Sequence, residues 1–242
     1  MKIQNTDKKF DALVFDFDNT LFDYEGTERE ALRSVFKDMN IPFFSEYSSM
    51  FISINRRLWR DTENDKSFAK KNLRIRRFTE LFKKIGYDDS LETAQEASRL
   101  FLLHSEKGCL IDGVKETLNE LKSMGYILGV ASAGLSVPRR KKLENSEIAN
   151  CFDFTMYRED FDNNKVKPHR DFYDRISIKL SDILRERILY VGDSFEPDVK
   201  GSATAGFSAV WFNYFNADEA SVDTEYCYGI IKHFSELINL IN

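Results

Sequence analysis

Five short apolar segments that alternate with helical patterns place the strongest constraint on how this chain can fold. Each is four to seven residues long, which suits a buried strand. The segments are Ala12–Phe15, Tyr126–Ser132, Phe154–Tyr157, Ile188–Val191 and Ala209–Phe212. Strands that alternate with helices form a mainly parallel sheet flanked by helices, so we predict an α/β, Rossmann-like core. In such a sheet we expect the functional site at the carboxyl ends of the strands.

The interval from Phe22 to Lys107 interrupts this alternation. Its sequence contains four or five helical patterns and no convincing strand. We therefore predict that residues 22–107 form an all-helical domain inserted after the first strand. Residues 1–21 and 108–242 then form the core, and Gly108 marks the point where the chain returns to it.

Length and charge favour a small-molecule partner. A chain of 242 residues can bury a large core without disulfides or structural metals. Its 35 Lys and Arg residues against 40 Asp and Glu residues give a net charge of −5. This charge provides no overall basic field for a nucleic acid polymer or an anionic membrane. We expect a small metabolite as the partner, and a monomer or a weak homodimer.

Cysteine usage and hydropathy predict a cytoplasmic protein. Cys109, Cys151 and Cys227 are far apart and form no CxxC pair. Such spacing is typical of reduced thiols in the cytosol. No apolar run approaches the length of a membrane span, so we expect no transmembrane segment.

Asp16 and Asp18 follow the first predicted strand, within the segment VFDFDNTLFD. A single aspartate in this position is usually a turn residue or a helix N-cap. Two carboxylates so close together repel each other, and a bound divalent cation relieves the repulsion. Because hard oxygen ligands suit Mg²⁺, we predict a magnesium site. A carboxylate beside the metal can also attack phosphorus to form an aspartyl-phosphate, and its neighbour can act as general acid and base.

Ser132 ends the second predicted strand and is followed by Ala133 and Gly134. Core packing followed by a turn is a sufficient explanation for an isolated serine in this position. A hydroxyl group and free backbone N–H groups at a strand end can also hold a phosphate oxygen. These three residues are therefore candidates for phosphate binding.

Lys167 precedes Pro168 in the segment NNKVKPHRDFYD. The simplest interpretation is a surface lysine. Proline restricts the preceding residue to extended geometry, however, and so fixes where the Lys167 side chain departs. An ammonium group fixed in this way can neutralise charge on a phosphoryl group. Lys165 is an alternative candidate, but no proline follows it.

An acidic cluster follows the fourth predicted strand, in the segment ILYVGDSFEPD. N-capping of a helix that begins near Pro197 accounts for one of these carboxylates. It does not account for a cluster of them at yet another strand end. We predict that Asp193 is a metal ligand and that Asp198 orients Lys167 or metal-bound water.

Together these segments resemble the four motifs of the haloacid dehalogenase (HAD) superfamily. The resemblance covers nearly the whole chain, from DFDNT through Ser132 and the Lys167-Pro168 pair to GDSFEPD. It implies that Asp16 is the nucleophile and that Asp18 is the acid/base, whose backbone carbonyl also binds Mg²⁺. It also implies that Asp193 is the remaining protein ligand of the metal, and that Ser132 and Lys167 hold the phosphate.

The insertion and the first motif resemble one branch of the superfamily. The insertion resembles the C1-type cap, a lid that closes over the core and excludes water. FDFDNTLFDYEGTEREAL and the late WFN segment resemble the YjjG/YfnB branch, which implies a nucleoside 5′-monophosphatase with a preference for pyrimidine nucleotides. Asn19, in the first motif, is then a substrate-binding residue. Where that branch commonly has Thr-Asn-Gly, this chain has Ser132, Ala133 and Gly134. These residues lack the side-chain amide of the asparagine but keep a hydroxyl group and the backbone N–H groups.

Other functions are compatible with parts of this pattern. A phosphomutase of the same superfamily would keep all four motifs, and a sugar phosphatase would differ only in its substrate. Asp18 argues against a haloacid dehalogenase, because those enzymes lack an acid two residues after the nucleophile. A non-enzymatic binding module fits less well, since every charged motif residue is present.

A basic run within the insertion contains Arg56, Arg57 and Arg60. Interspersed acidic residues favour a solvated helix face. Alternatively, the run steers a phosphorylated substrate towards the site.

Overall fold

The computed structural model describes three stretches of the chain, residues 8–64, 70–161 and 165–242. The chain divides into two compact units. The core unit comprises Met1–Asp23 and Gly108–Asn242, and the helical unit comprises Tyr24–Lys107. The helical unit thus begins two residues after the predicted start at Phe22. Within the described residues, no helix combines the length and the apolar character needed to cross a bilayer.

Four helices form the described part of the helical unit: α1 (Tyr24–Asp38), α2 (Ser45–Asn64), α3 (Lys70–Ile85) and α4 (Leu91–Ser105). Their apolar faces meet in a core rich in phenylalanine. In this core the rings of Phe51, Phe78 and Phe101 contact one another, with centroids 5.0 to 5.7 Å apart. Burial of each such side chain contributes roughly 1.5–3 kcal/mol, so this cluster stabilises the unit.

Six parallel strands among the described residues form one sheet in the core unit, which confirms the predicted fold class. They are β1 (Ala12–Phe15), β2 (Ile127–Ala131), β3 (Phe154–Met156), β4 (Ile188–Gly192), β5 (Ser208–Phe212) and β6 (Gly229–Ile231). Their order is β3-β2-β1-β4-β5-β6, so β1 lies between β2 and β4. Phe15 is in register with Val130 of β2 and Val191 of β4. The residues that follow these three strands therefore meet at one edge of the sheet.

Helices cover the sheet of the core unit. They are α5 (Val114–Ser123), α6 (Ser136–Glu144), α7 (Arg170–Lys179), α8 (Gly201–Thr204) and α9 (Glu236–Ile241). Residues of α5 and α9 join one apolar cluster, and residues of α7 join another. Each cluster includes side chains from the strands, so the sheet is buried on both faces, as a parallel sheet requires.

Alternation of side chains along β1 decides which way the following residues face. Phe15 packs in the cluster with α5 and α9, whereas Val14 packs in the cluster with α7. Phe17, two residues beyond Phe15, lies in the same cluster as Phe15. Because successive side chains point to opposite faces, Asp16 continues the face of Val14, towards α7.

Candidate active site

Asp16 lies directly after β1 and is held by two contacts. Its backbone N–H donates to the carbonyl oxygen of Val191 at 2.9 Å, which extends the pairing with β4 by one residue. Its Oδ1 accepts a hydrogen bond from Lys167 Nζ at 2.6 Å. The residue is 8% exposed, so a small open area gives access to a nearly buried carboxylate.

Lys167 joins two carboxylates. Its Nζ lies 2.6 Å from Asp16 Oδ1 and 2.6 Å from Asp198 Oδ1. Burial alone would lower the pKa of Lys167, but the charges of Asp16 and Asp198 raise it well above its usual range. Lys167 is therefore positively charged at neutral pH. Lys165, the alternative candidate, pairs instead with Asp171, with Nζ and Oδ2 2.5 Å apart.

Asp193, Asp16 and Asp198 form an acidic cluster. One carboxylate oxygen from each residue lies within 4.8 Å of the other two. Asp193 follows β4, and Oδ2 of Asp198 accepts a hydrogen bond from the backbone N–H of Ser194 at 3.0 Å. Gly192 permits this approach, because a Cβ atom there would lie 2.4 Å from Cγ of Asp198. Asp193 and Asp16 thus converge, as a shared cation requires.

The cluster carries more negative charge than Lys167 can neutralise. Burial, together with the charges of Asp16 and Asp198, raises the pKa of Asp193 to about 8. Burial also raises the pKa of Asp16 to about 6, although Lys167 opposes this shift. Three converging carboxylates can share one Mg²⁺, and its charge would favour the ionised forms. The donor set therefore fits a magnesium ion.

The loop Ser132–Gly134 lies at the same edge of the sheet, because β2 is a neighbour of β1. The N–H of Ser132 donates to the carbonyl oxygen of Met156 at 2.9 Å, and its Oγ accepts from the N–H of Gly134 at 3.3 Å. Ser132 is buried, and Ala133 and Gly134 are partly exposed. The N–H groups of Ser132 and Gly134 are used in these two hydrogen bonds, so the hydroxyl of Ser132 and the backbone N–H of Ala133 are the groups that suit a phosphate oxygen.

Asp18 pairs with α6 rather than with the acidic cluster. Its Oδ2 accepts a hydrogen bond from Arg139 Nη2, and its Oδ1 lies 3.6 Å from Lys142 Nζ. Within the described residues, Asp18 is not part of the group of three converging carboxylates. Asn19 turns the chain in the left-handed region with φ of 58°, and its N–H donates to the carbonyl oxygen of Phe22 at 2.6 Å. Asparagine tolerates this backbone conformation better than most residues.

Local sequence patterns do not predict four side chains that support these groups. Arg139 and Lys142 meet Asp18 from more than a hundred residues away, and no local signal marks such a pair.

Trp211 Nε1 donates to the carbonyl oxygen of Asp193 at 2.9 Å. The hydroxyl of Tyr190 donates to the carbonyl oxygen that precedes Ser132 at 2.9 Å. Trp211 and Tyr190 lie on buried strands. In the sequence, the polar group on each aromatic ring is the only sign that the side chain needs a hydrogen-bond partner.

Comparison with known proteins decides the family. Residues 13–212 match the model of haloacid dehalogenase-like hydrolases. The chain belongs to this family. The HAD-hydrolase YfnB of Bacillus subtilis is 29% identical over 206 residues, which cover 85% of each chain. A crystal structure of YfnB bound to magnesium has a TM-score of 0.77 and 26% identity, and the match covers 97% of this chain and 100% of that chain. The resemblance inferred from the four motifs is thus confirmed.

Relatives within the HAD family have names that state different substrates. The pyrimidine 5′-nucleotidase PynA of Streptococcus pneumoniae is 27% identical over 201 residues, 83% of each chain. The glyceraldehyde 3-phosphate phosphatase of Methanocaldococcus jannaschii is 26% identical over 240 residues, which cover 95% of this chain and 96% of that one. Because the two identities are so similar, the relationship alone does not determine a substrate.

Proposed function

We propose that this chain is a Mg²⁺-dependent phosphomonoester hydrolase that acts through an aspartyl-phosphate on Asp16. The proposal depends on the convergence of Asp16, Asp193 and Asp198 with Lys167 at the ends of β1 and β4. Three carboxylates beside a buried ammonium group offer a cation site next to a positive charge for an anion, and phosphoryl transfer needs both. The magnesium-bound structure of YfnB supports the metal.

Asp16 and Asp193, with the backbone carbonyl of Asp18, are the proposed Mg²⁺ ligands. When bound, Mg²⁺ supplies positive charge to the phosphate oxygens. Asp198 keeps Lys167 in place through the 2.6 Å hydrogen bond between Oδ1 and Nζ. Lys167 is then available to a phosphate oxygen at the same edge of the sheet.

Asp16 is the proposed nucleophile of the first half-reaction. One of its carboxylate oxygens attacks phosphorus, and the bond between phosphorus and the ester oxygen breaks. Lys167, the hydroxyl of Ser132 and the backbone N–H of Ala133 stabilise the charge on the phosphoryl oxygens. Asp18, in its protonated form, gives its proton to the leaving alcohol.

The second half-reaction hydrolyses the aspartyl-phosphate. Asp18, now a carboxylate, removes a proton from a water molecule, whose oxygen attacks phosphorus. The bond between phosphorus and Asp16 breaks, inorganic phosphate leaves, and both aspartates return to their initial forms. Asp18 has to leave Arg139 to reach the reacting atoms, since the structure pairs its carboxylate with α6.

The proposed substrates are nucleoside 5′-monophosphates, with pyrimidine bases preferred. The name of the relative PynA supports this choice. A small sugar phosphate is the alternative, which the glyceraldehyde 3-phosphate phosphatase relative supports. In both cases the partner is a small phosphorylated metabolite.

A substrate screen of the purified protein tests the proposal. Phosphate release is measured with pyrimidine and purine nucleoside monophosphates, glyceraldehyde 3-phosphate and hexose phosphates, each with Mg²⁺ and with EDTA. We expect Mg²⁺-dependent release, fastest with pyrimidine nucleotides, and no release by Asp16→Asn. Asp182→Asn is the control, because it removes an exposed carboxylate. Release that continues in EDTA, or in Asp16→Asn, would contradict the proposal.

A further inference from the structure

A polar groove lies within the helical unit, lined by residues of α1 and α2. Its volume is about 720 Å³, which is in the range of small-molecule sites. Four serines of α2 line it, Ser45, Ser48, Ser49 and Ser53. Their short side chains leave the space between the two helices open to a hydrophilic ligand. None of the residues of the proposed mechanism lines this groove.

Positive charge dominates the groove. Arg29, Arg56 and Arg60 line it, and Glu25 is the one acidic lining residue among those the structure describes. Glu25 pairs with Arg56, so the lining residues carry a formal excess of two positive charges. The whole chain has a net charge of −5, so this local excess runs against the overall composition. Arginine is the side chain best suited to bind phosphate, because its planar donors match two phosphate oxygens.

Ser48 provides an independent sign of a missing partner. It is 6% exposed, and its Oγ has no hydrogen-bond partner in the described part of the protein. Buried hydroxyl groups are nearly always hydrogen-bonded, because an unpaired one is costly. Since Ser48 lines the groove, a ligand bound there can supply the partner.

The first turn of α2 adds a further attraction for anions. Ser45 is the first residue of this 20-residue helix and also lines the groove. The N-terminus of a long helix carries a partial positive charge. The helix end and the three arginines thus favour the same kind of ligand.

We propose that this groove is a second binding site, for a small molecule that carries a phosphate group. Arg29, Arg56 and Arg60 bind the phosphate oxygens, and Ser48 donates its hydroxyl proton to the ligand. Arg56 is shared between the ligand and Glu25. The proposal does not depend on the hydrolase reaction, because all of its residues belong to the helical unit.

Binding of inorganic phosphate and of pyrophosphate to the full chain tests this proposal. Titration calorimetry in EDTA removes any contribution from a metal at Asp16. We expect saturable binding that weakens roughly tenfold or more in Arg29→Gln and in Arg60→Gln, since each loses a charge-assisted hydrogen bond. Arg57→Gln is the matched control, because Arg57 lies on the same helix but pairs with Glu80 and does not line the groove. Its affinity should equal that of the unchanged protein.

Ser48→Ala separates ligand binding from an effect on folding. Without phosphate, we expect its melting temperature to be equal to or higher than that of the unchanged protein, because an unpaired buried hydroxyl is removed. With phosphate, the rise in melting temperature should be smaller in the variant.

Three results would overturn the proposal. The first is the absence of saturable phosphate binding in EDTA. The second is binding that survives the Arg29 and Arg60 substitutions but is lost in Lys167→Met, which would place the anion in the core unit. The third comes from competing anions. Titrations with sulfate and citrate distinguish a phosphate site from a general anion site, and equal affinity for all three would also reject the proposed ligand. Hydrolysis, measured separately, reports on the proposed reaction.

Discussion

Replacing Asp193 with Asn tests the charge balance of the acidic cluster. In the metal-free protein, burial next to Asp16 and Asp198 raises the pKa of Asp193 from 3.8 to about 8. Between these pH values the folded state holds a proton at Asp193 that the unfolded state releases. Because the folded state binds more protons, Asp193 makes the protein less stable as the pH rises through this range. Asn takes up no proton on folding, so the Asp193→Asn variant does not lose stability in this way as the pH rises.

The structure gives the expected size of this effect. One pH unit corresponds to about 1.4 kcal/mol, and roughly three units separate 3.8 from neutral pH. We therefore expect Asp193→Asn to raise the free energy of unfolding in EDTA by up to about 4 kcal/mol at neutral pH and to change it little near pH 4. Denaturant unfolding across this pH range measures the difference. Asp182→Asn, which removes an exposed carboxylate, should match the unchanged protein at every pH.

Magnesium should narrow the difference in stability between the two proteins. A ligand at one hundred times its dissociation constant stabilises the folded state by about 2.7 kcal/mol. The unchanged protein should gain this stability from Mg²⁺, and Asp193→Asn should gain much less, because it lacks one anionic ligand. The reasoning is refuted if the variant is no more stable than the unchanged protein in neutral EDTA. It is also refuted if both proteins gain equally from Mg²⁺.

Three further predictions concern packing and positioning. Gly192→Ala should lower phosphate release at least about tenfold and cost about 1–3 kcal/mol of stability, because the Cβ of the new alanine would overlap Asp198. A normal rate of phosphate release would contradict this prediction. Arg139→Met should free Asp18 from the ion pair that it has to leave before it acts, so hydrolysis of alkyl phosphates should be at least as fast as in the unchanged protein. A loss of about tenfold or more that spares p-nitrophenyl phosphate, whose leaving group needs no acid, would contradict this expectation. Phe78→Ala should lower the free energy of unfolding, measured with denaturant, by about 3–5 kcal/mol, because the ring is fully buried. A decrease of less than about 1 kcal/mol would contradict this and show that the surrounding side chains fill the cavity.

The alternation of strands and helices made most of the core fold predictable. Five of the strands stand out as apolar segments, and their parallel order follows from the helices between them. β3 has only three residues, but α6 before it and α7 after it mark its place. β6 is equally short and was missed, because Gly229–Ile231 lies in a stretch of turns without a helical pattern before it. A strand this short depends on its pairing with β5, which is a tertiary contact.

The acidic cluster was also accessible to sequence reasoning. Asp16 and Asp193 directly follow strands, and parallel strands that end at one level bring such residues together. Asp198 was predicted to orient Lys167 or metal-bound water, and the structure shows a hydrogen bond between Asp198 and Lys167. The pairing of Asp18 with Arg139 was not predicted, because it depends on how α6 packs beside β1 and on the open space left by Gly134. Any residue other than glycine at position 134 would place a Cβ atom where the Arg139 side chain lies.

Detection of the covalent intermediate is the most direct test of the hydrolase proposal. Asp18→Asn is mixed with p-nitrophenyl phosphate and Mg²⁺, quenched in acid during turnover, and digested for peptide mass spectrometry. Because p-nitrophenol leaves without an acid while hydrolysis lacks its base, we expect a phosphoryl group to accumulate on the peptide that contains Asp16. The same peptide should carry no phosphoryl group in the Asp16→Asn protein. Turnover without any phosphoryl group on Asp16, or a label on another residue, would contradict the proposal.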